Sequence, residues 1–346
     1  MNIKNSRVLV TGAAGFIGSA VCKRLLYEGS EVVGIDNINN YYDNNLKKDR
    51  LDEIKKVSES TSQSWTFKKF SIEESNLLNE CFEETNPQIV INLAAQAGVR
   101  YSIKNPYEFL ESNIKGFGNI LECCRKNKVK NLIYASSSSV YGGNKNLPFT
   151  ENQSVDHPVS LYAATKKSNE LMAHVYSHIY KLPTTGLRFF TVYGPWGRPD
   201  MSPIIFTKAI ILEKEMQLNN FGKIKRDFTY IDDVVESIYR CCKKPAVADE
   251  NFNSFNPNPS TSDSPYRVFN VGNNNDIEIT YFISLLEKNL NKKAKIKYMP
   301  LPPGDVIATD SDNKALQEWI SYKPPTLIED GIKKFLNWYK QYYKVP

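Results

Sequence analysis

Three observations predict a doubly wound parallel α/β sheet with a smaller C-terminal lobe. The first is VLVTGAAGFIG over residues 8–18, an apolar run that ends in Gly12, Gly15 and Gly18 and opens an apolar-periodic stretch through Leu26. The second is a regular alternation of short apolar runs and helical patterns up to residue 190, the rhythm of strand–helix–strand units. The third is the break in that rhythm after Thr191, where Gly194, Pro195, Gly197, Pro199 and Pro203 punctuate a loop. Residues 1–190 therefore read as a Rossmann-type dinucleotide-binding domain. Residues 191–346 read mainly as a substrate-binding lobe, with some segments returning to the first domain.

Taken in order, residues 8–10 form a buried parallel strand. Gly12 permits a tight turn, Gly15 lets the backbone approach a phosphate, and Gly18 lets the following helix pack close on the strand. That helix start offers free N–H groups and a positive dipole end to a pyrophosphate. A second strand over residues 31–35 leads into Asp36, 18 residues past Gly18, where a carboxylate can bind both ribose hydroxyls of an adenosine. The next residue is Asn37 rather than Arg. A carboxylate there repels a 2′-phosphate, so NAD is favoured over NADP. Residues 39–64 read as a short exposed helix and loop beside the cofactor, with the lysines of 47–56 on a solvated face. Residues 65–70, 88–94, 131–136 and 184–190 are further strands, and 77–84, 107–127 and 161–180 are helices. Later, 249–265 is a polar loop expected to be mobile, and 277–290 and 327–343 are amphipathic helices. Ligands of such sheets lie across the carboxyl ends of the strands. Residues 12–18, 94–100, 136–141 and 190–198 are thus expected around one crevice.

The bulk properties exclude several classes. The chain has 346 residues and 41% hydrophobic composition, enough for a large core. No apolar run reaches membrane-spanning length, and the first residues lead directly into a strand without an export signal. The six cysteines show no CxxC spacing, so a reduced, cytoplasmic setting is expected. The net charge of +6 is mild and scattered, which fits an anionic small substrate and does not indicate nucleic acid. His174 and His178 lie four apart, but no third ligand accompanies them in sequence, so no metal site is expected.

Tyr162 and Lys166 are four apart on an expected helix and share one face. A phenol normally ionises near pH 10. A neighbouring ammonium and a positive nicotinamide ring would favour the phenolate, making Tyr162 a general base. The serines at 136–139 end a strand at the same crevice, and one of them can share the substrate's hydroxyl proton.

The blocks GAAGFIG, LAAQAGVRYS, YASSSSVYG, YAATKKSNELMA, GLRFFTVYGPWGRPDM, KRDFTYIDD and PPGDV occur in this order. They resemble the extended short-chain dehydrogenase/reductase superfamily, and within it the UDP-glucuronate 4-epimerases, over nearly the whole chain. The resemblance implies tightly held NAD, a UDP-sugar substrate and a homodimer paired through the helices at 107–127 and 161–180. It implies that Tyr162 deprotonates the sugar 4-OH while the C4 hydride moves to the nicotinamide, with Lys166 assisting and Ser137 as the hydroxyl partner. The 4-keto sugar then turns and takes the hydride back on its other face, and the product would feed polysaccharide synthesis. The cofactor would touch Gly12, Gly15, Phe16, Ile17, Gly18, Asp36, Asn37, Ile72, Leu93, Ala94 and Ala95, besides Tyr162 and Lys166. Arg226 matches a diphosphate-binding arginine, and Asp305 a position near the uridine ribose.

A uronate raises a chemical difficulty. Its 4-keto form is a β-keto acid, which loses CO₂ when the carboxylate turns so that the breaking bond overlaps the carbonyl. Arg198 could hold that carboxylate bidentately, helped by Thr191, Ser137, Ser138 and Ser139. Alternatively, Arg198 serves a surface salt bridge. Arg100 could equally reach a ligand anion or a structural partner. Decarboxylases resemble SSEVYG and dehydratases TDEVYG at 137–142; Ser138 and Ser139 stand here instead of those acids. Two departures from the wider family pattern are Ser71 before Ile72, where many relatives carry Asp, and Pro303 before Gly304. A UDP-hexose 4-epimerase (of the glucose/galactose or N-acetylhexosamine type) and a catalytically silent NAD-binding regulator are the alternative functions.

Overall fold

The computed structural model describes residues 1, 3–302 and 305–345; Pro303 and Gly304 lie outside the described residues. A seven-stranded parallel sheet forms the centre. Its strands are β1 (Arg7–Thr11), β2 (Glu31–Asp36), β3 (Trp65–Lys69), β4 (Ile89–Asn92), β5 (Asn131–Ser137), β6 (Thr184–Phe189) and, from much later in the chain, Tyr266–Val271. The spatial order runs β3-β2-β1-β4-β5-β6 and then Tyr266–Val271. The order reverses between β1 and β4, which opens a crevice at their carboxyl ends.

Alternation along the strands builds a core on each face. Val8 and Val10 of β1 enter one cluster and Leu9 the other. The first face is covered by α1 (Phe16–Tyr27) and by a later helix at Ile231–Lys243; the second by α3 (Ser75–Thr85), α6 (Phe117–Lys126) and α7 (Leu161–Tyr180). The helix α2 (Asn44–Thr61) packs on α1. It is longer than expected, and the 47–56 run is a solvated face only in part: Lys48, Lys55 and Lys56 are exposed, whereas Lys47 and Arg50 are buried. Leu46, Arg50 and Ile54 form one stripe at helical spacing, so Arg50 occupies a core position.

Residues 107–127 depart from the single helix expected. Two short helices, α4 (Val99–Lys104) and α5 (Pro106–Phe109), come first, and a wide π turn over Leu110–Gly116 leads into α6. Within the π turn the Asn113 carbonyl accepts from the Asn169 side chain at 2.6 Å, and its amide bonds Gln96 O and Thr165 Oγ1 at 3.0 Å each. Widened turns of this kind are frequent beside functional sites.

Beyond β6 come β7 (Thr191–Tyr193), α8 (Ser202–Ile211), β8 (Glu215–Leu218), β9 (Lys225–Tyr230), α9 (Ile231–Lys243), β10 (Tyr266–Val271), β11 (Asp276–Glu278), α10 (Ile279–Leu290), β12 (Lys295–Tyr298), α11 (Lys314–Ile320) and α12 (Ile328–Tyr343). β11, β9 and β7 make a small sheet, and β12 pairs with β8. The polar stretch before β10 is exposed over 253–258 and fastened to the body of the protein at its end. Ser260, Ser262 and Ser264 are buried in it, and Ser262 meets His174 of α7 at 3.0 Å. Among the described residues no helix is long and apolar enough to cross a membrane.

Candidate active site

A cavity of about 1200 Å³ runs along the crevice, lined by the carboxyl ends of β1, β2, β4, β5 and β6 and by residues of the second lobe. At one end lies the turn between β1 and α1. Gly12 has φ +69°, and a Cβ on it would stand 2.8 Å from Ala94 N; a Cβ on Gly18 would stand 2.0 Å from Gly12 O. Only glycine fits either position. α1 begins without a side-chain cap, leaving first-turn N–H groups for an anion. Asp36 accepts from Ala14 N at 3.1 Å and Ile38 N at 2.8 Å. Burial raises its carboxyl against those bonds and the Lys47 and Arg50 charges. Phe16, Ile17, Asn37, Ile72, Leu93, Ala94 and Ala95 line the same end. Ser71 is joined to Asn37, whose amide donates to it at 2.9 Å. The cradle, the uncapped helix and the carboxylate at the end of β2 fit a bound NAD.

Midway, α7 carries Tyr162 and Lys166. Ser160 caps the helix, accepting from Ala163 N at 3.1 Å, and so fixes its first turn. Lys166 Nζ donates to Ala135 O at 2.9 Å, and burial brings its ammonium down to about 8. Burial raises the Tyr162 phenol, opposed by a hydrogen bond with Ser137 and by the Arg198 cation. Arg198 thus favours the phenolate in the protein alone, a contribution that the sequence spacing did not show. Ser137 also accepts from Ser139 N at 3.1 Å. Ser136 is committed elsewhere, donating to Glu170 Oε1 at 2.7 Å. Glu170 holds the buried Arg188 of β6 through two bonds, at 2.8 and 2.9 Å, and so fastens α7 to the sheet.

The second lobe closes the other side. Thr191, Ser138, Ser139 and Arg198 line the cavity with Tyr162. Arg198 is paired with Asp200, Nε to Oδ1 at 3.0 Å and Nη2 to Oδ2 at 2.5 Å. Its guanidinium lies 5.5 Å from the Tyr41 ring centroid, and Tyr41 Oη donates to Asp200 at 3.1 Å. Burial would lower this guanidinium, but Asp200 outweighs it and raises it. Arg226 reaches the cavity, yet its guanidinium donates to Val306 O at 2.7 Å, Lys225 O at 2.8 Å and Ile307 O at 3.1 Å. Asp305 accepts from Arg100 at 2.7 Å and Asn219 at 3.4 Å. Arg100 thus has a structural partner that is itself at the cavity wall. Sequence reasoning missed Tyr41, Lys47, Arg50, Asn113 and Glu170. Only Arg50 left a trace, as a charge on an apolar stripe. No group of residues able to hold a metal occurs among the described residues.

Comparison with known proteins agrees with this architecture. Residues 8–256 match the model of the NAD dependent epimerase/dehydratase family. Protein CapI of Staphylococcus aureus is 52% identical over 338 residues, spanning 98% of this chain and 99% of that protein. A probable UDP-glucuronate 4-epimerase of Rhizobium meliloti is 42% identical over 342 residues, 98% of each chain. The crystal structure of UDP-glucuronic acid 4-epimerase from Bacillus cereus, in complex with UDP-glucuronic acid and NAD, superposes with a TM-score of 0.85 at 31% identity, covering 97% of this chain and all of that one. A glycine cradle at the switch point of a parallel sheet, a Tyr–Lys pair facing it and these matches together establish that the chain belongs to the NAD dependent epimerase/dehydratase family.

Proposed function

We propose that the protein is a 4-epimerase that interconverts UDP-glucuronate and UDP-galacturonate. The observation that carries the uronate reading is Arg198, a cation on the cavity wall beside Thr191, Ser138 and Ser139 that acts on Tyr162 electrostatically. NAD, held by the glycine turn and Asp36, would supply a reversible hydride acceptor for C4. Tyr162 takes the proton of the 4-OH and gives it back, and Ser137, hydrogen-bonded to that phenol, steadies the shared proton. Lys166, fixed on Ala135 O, would hold the nicotinamide ribose and add positive charge beside the phenolate.

Between the two half-reactions the sugar is a 4-keto uronate and must turn over without losing its carboxylate. In the side reaction the C5–C6 bond breaks, CO₂ leaves, the electron pair becomes the C4 enolate, and a proton from water closes C5. A carboxylate held in the plane that prevents overlap escapes this fate. Arg198, Thr191, Ser138 and Ser139 supply that grip, with Arg226 and Asp305 toward the UDP. The related decarboxylases and dehydratases carry acids where Ser138 and Ser139 stand. Two copies pairing through α6 and α7 complete the proposal, since Leu171, Val175 and Ile179 form an exposed apolar line on α7.

The test is turnover of UDP-glucuronate by the purified protein, with wild type and Arg198→Ala compared on UDP-glucuronate and UDP-glucose. UDP-galacturonate should form. Arg198→Ala should weaken UDP-glucuronate by about 1.5–3 kcal/mol, the contribution of a charge-assisted bond, weaken UDP-glucose much less, and raise the share of pentose products. Equal weakening of both sugars with no extra decarboxylation would remove the uronate reading, and brisk epimerisation of UDP-glucose alone would replace it with the hexose one.

A further inference from the structure

Arg50 is a charged side chain with only 1% of its surface exposed. Among the described residues it has no carboxylate partner. Its five N–H groups are nevertheless all used. Nε and Nη2 both donate to Trp196 O, at 3.2 and 2.5 Å. Nη2 also reaches Gly197 O at 3.2 Å, and Nη1 donates to Ala14 O at 3.0 Å and Tyr42 Oη at 2.6 Å. One planar fork thus joins three segments distant in sequence: the cofactor turn at Ala14, the loop at Tyr41 and Tyr42, and the loop at Trp196 and Gly197. Burying a guanidinium against carbonyl oxygens is an expensive route to stability, since apolar packing at the same place does at least as well. What the fork does supply is fixed geometry.

The third segment needs such fixing. Trp196 has φ +66°, a left-handed conformation unfavourable for a residue with a Cβ. It is held from both sides. Arg50 holds its carbonyl, and its ring packs on Trp338 and Tyr342 of α12, with centroids at 5.5 and 5.0 Å. Two residues later stands Arg198, whose guanidinium lies over the ring of Tyr41, the neighbour of the Tyr42 that Arg50 also binds.

We propose that Arg50, with the Trp196 backbone it holds, is a positioning device that sets the Arg198 loop against the cofactor turn, so that the substrate-binding guanidinium enters the cavity at a fixed place relative to the nicotinamide. This rests on the reading above that Arg198 holds the sugar carboxylate. The device makes specificity depend on a residue that touches no substrate. Arg50→Lys keeps the charge but offers three hydrogens from one atom, too few and too convergent for four oxygens on three segments.

The experiment compares wild type, Arg50→Lys and Arg198→Ala as full-length holoenzymes. Hydrogen exchange is followed over residues 194–200, alongside KM, kcat and the ratio of decarboxylated to epimerised product from UDP-glucuronate. Arg50→Lys should speed exchange at 194–200. It should raise KM and the decarboxylated fraction by about tenfold, within the roughly 10²-fold that a misplacement of about 1 Å can cost, with a smaller effect on UDP-glucose. Unchanged exchange at 194–200 overturns the proposal whatever the kinetics. A raised decarboxylated fraction in Arg198→Ala but not in Arg50→Lys overturns the positioning role alone. No rise in Arg198→Ala removes the carboxylate reading on which the role depends. If Arg50→Lys does not fold, Trp196→Ala takes its place: it frees the loop from α12 while leaving the buried guanidinium, and it should shift exchange and product ratio in the same direction. No shift there overturns the proposal.

Discussion

Replacing Glu170 by Gln should destabilise the protein more than most single substitutions and should slow catalysis as well. Glu170 and Arg188 are fully buried and meet through two parallel hydrogen bonds. Glu170 Oε1 also accepts from Ser136 at 2.7 Å, and Arg188 Nη1 reaches Tyr141 Oη at 3.0 Å. Burial pushes the Glu170 carboxyl up, but Arg188, Lys167 and Ser136 outweigh it and hold it below the usual carboxylate range. Gln keeps the shape, removes the charge and turns one acceptor into a donor facing a donor. Each charge-assisted bond contributes about 1.5–3 kcal/mol, and orphaning one partner of a buried pair costs about 3–5 kcal/mol. That is a large part of the roughly 5–15 kcal/mol that holds a domain folded. Urea unfolding of the nucleotide-free proteins, followed by circular dichroism and tryptophan fluorescence, measures it. Because the folded carboxyl titrates low, the pair's contribution is full above the ordinary carboxylate range and fades as pH falls through it; the gap between wild type and Glu170→Gln should narrow in acid. The double variant Glu170→Met with Arg188→Met should recover most of the loss, since no charge is left unpaired. A loss under about 1 kcal/mol for Glu170→Gln would show that the pair behaves like an exposed one, and the account of how α7 is anchored would be wrong.

Other outcomes are expected. Tyr162→Phe should lower turnover by about 10²–10⁴-fold while nucleotide released on denaturation stays near the wild-type amount; turnover close to wild type would move the base elsewhere. Lys166 titrates at about 8 in the fold and near 10.4 in an unfolded chain. Between those values the unfolded chain holds more protons at this lysine, so the stability of nucleotide-free wild type relative to Lys166→Met should rise with pH through that window, by up to about 3 kcal/mol. The thiols and tyrosines that burial raises contribute equally to both proteins, so equal pH slopes in urea unfolding would contradict the burial of an unpaired ammonium. The exposed line of Leu171, Val175 and Ile179 should be covered by a second copy. Sedimentation should give a dimer for wild type and a monomer for Val175→Glu; a monomeric wild type at micromolar concentration would rule out that interface.

The sequence by itself determined the sheet, the cofactor turn and the Tyr162–Lys166 pair, because each is written in short-range pattern. Strand and helix periods, a glycine at each crowded backbone contact and a spacing of one helical turn can all be read within a few residues. The strands from β1 to β6 and helix α7 lie at or within two residues of their expected positions. Tertiary structure alone decided what long-range contact decides. β10 joins β6 from some eighty residues downstream, and its apolar run carries no mark of which edge it will extend. The π turn at Leu110–Gly116 carries an Asn113 carbonyl that accepts from Asn169, on another helix, a partner that local sequence does not name. Charged residues were the least legible. A charge in sequence says nothing about which oxygens will meet it, and burial is affordable only once they do. Lys47 and Arg50 looked like parts of a solvated face until Asn39, Ala14, Tyr42, Trp196 and Gly197 were found around them. Arg198 likewise acquired Asp200 and Tyr41, one from its own loop and one from a segment more than a hundred and fifty residues earlier. Local pattern sets which elements form; only the packed chain sets which polar groups are left free to act on a ligand.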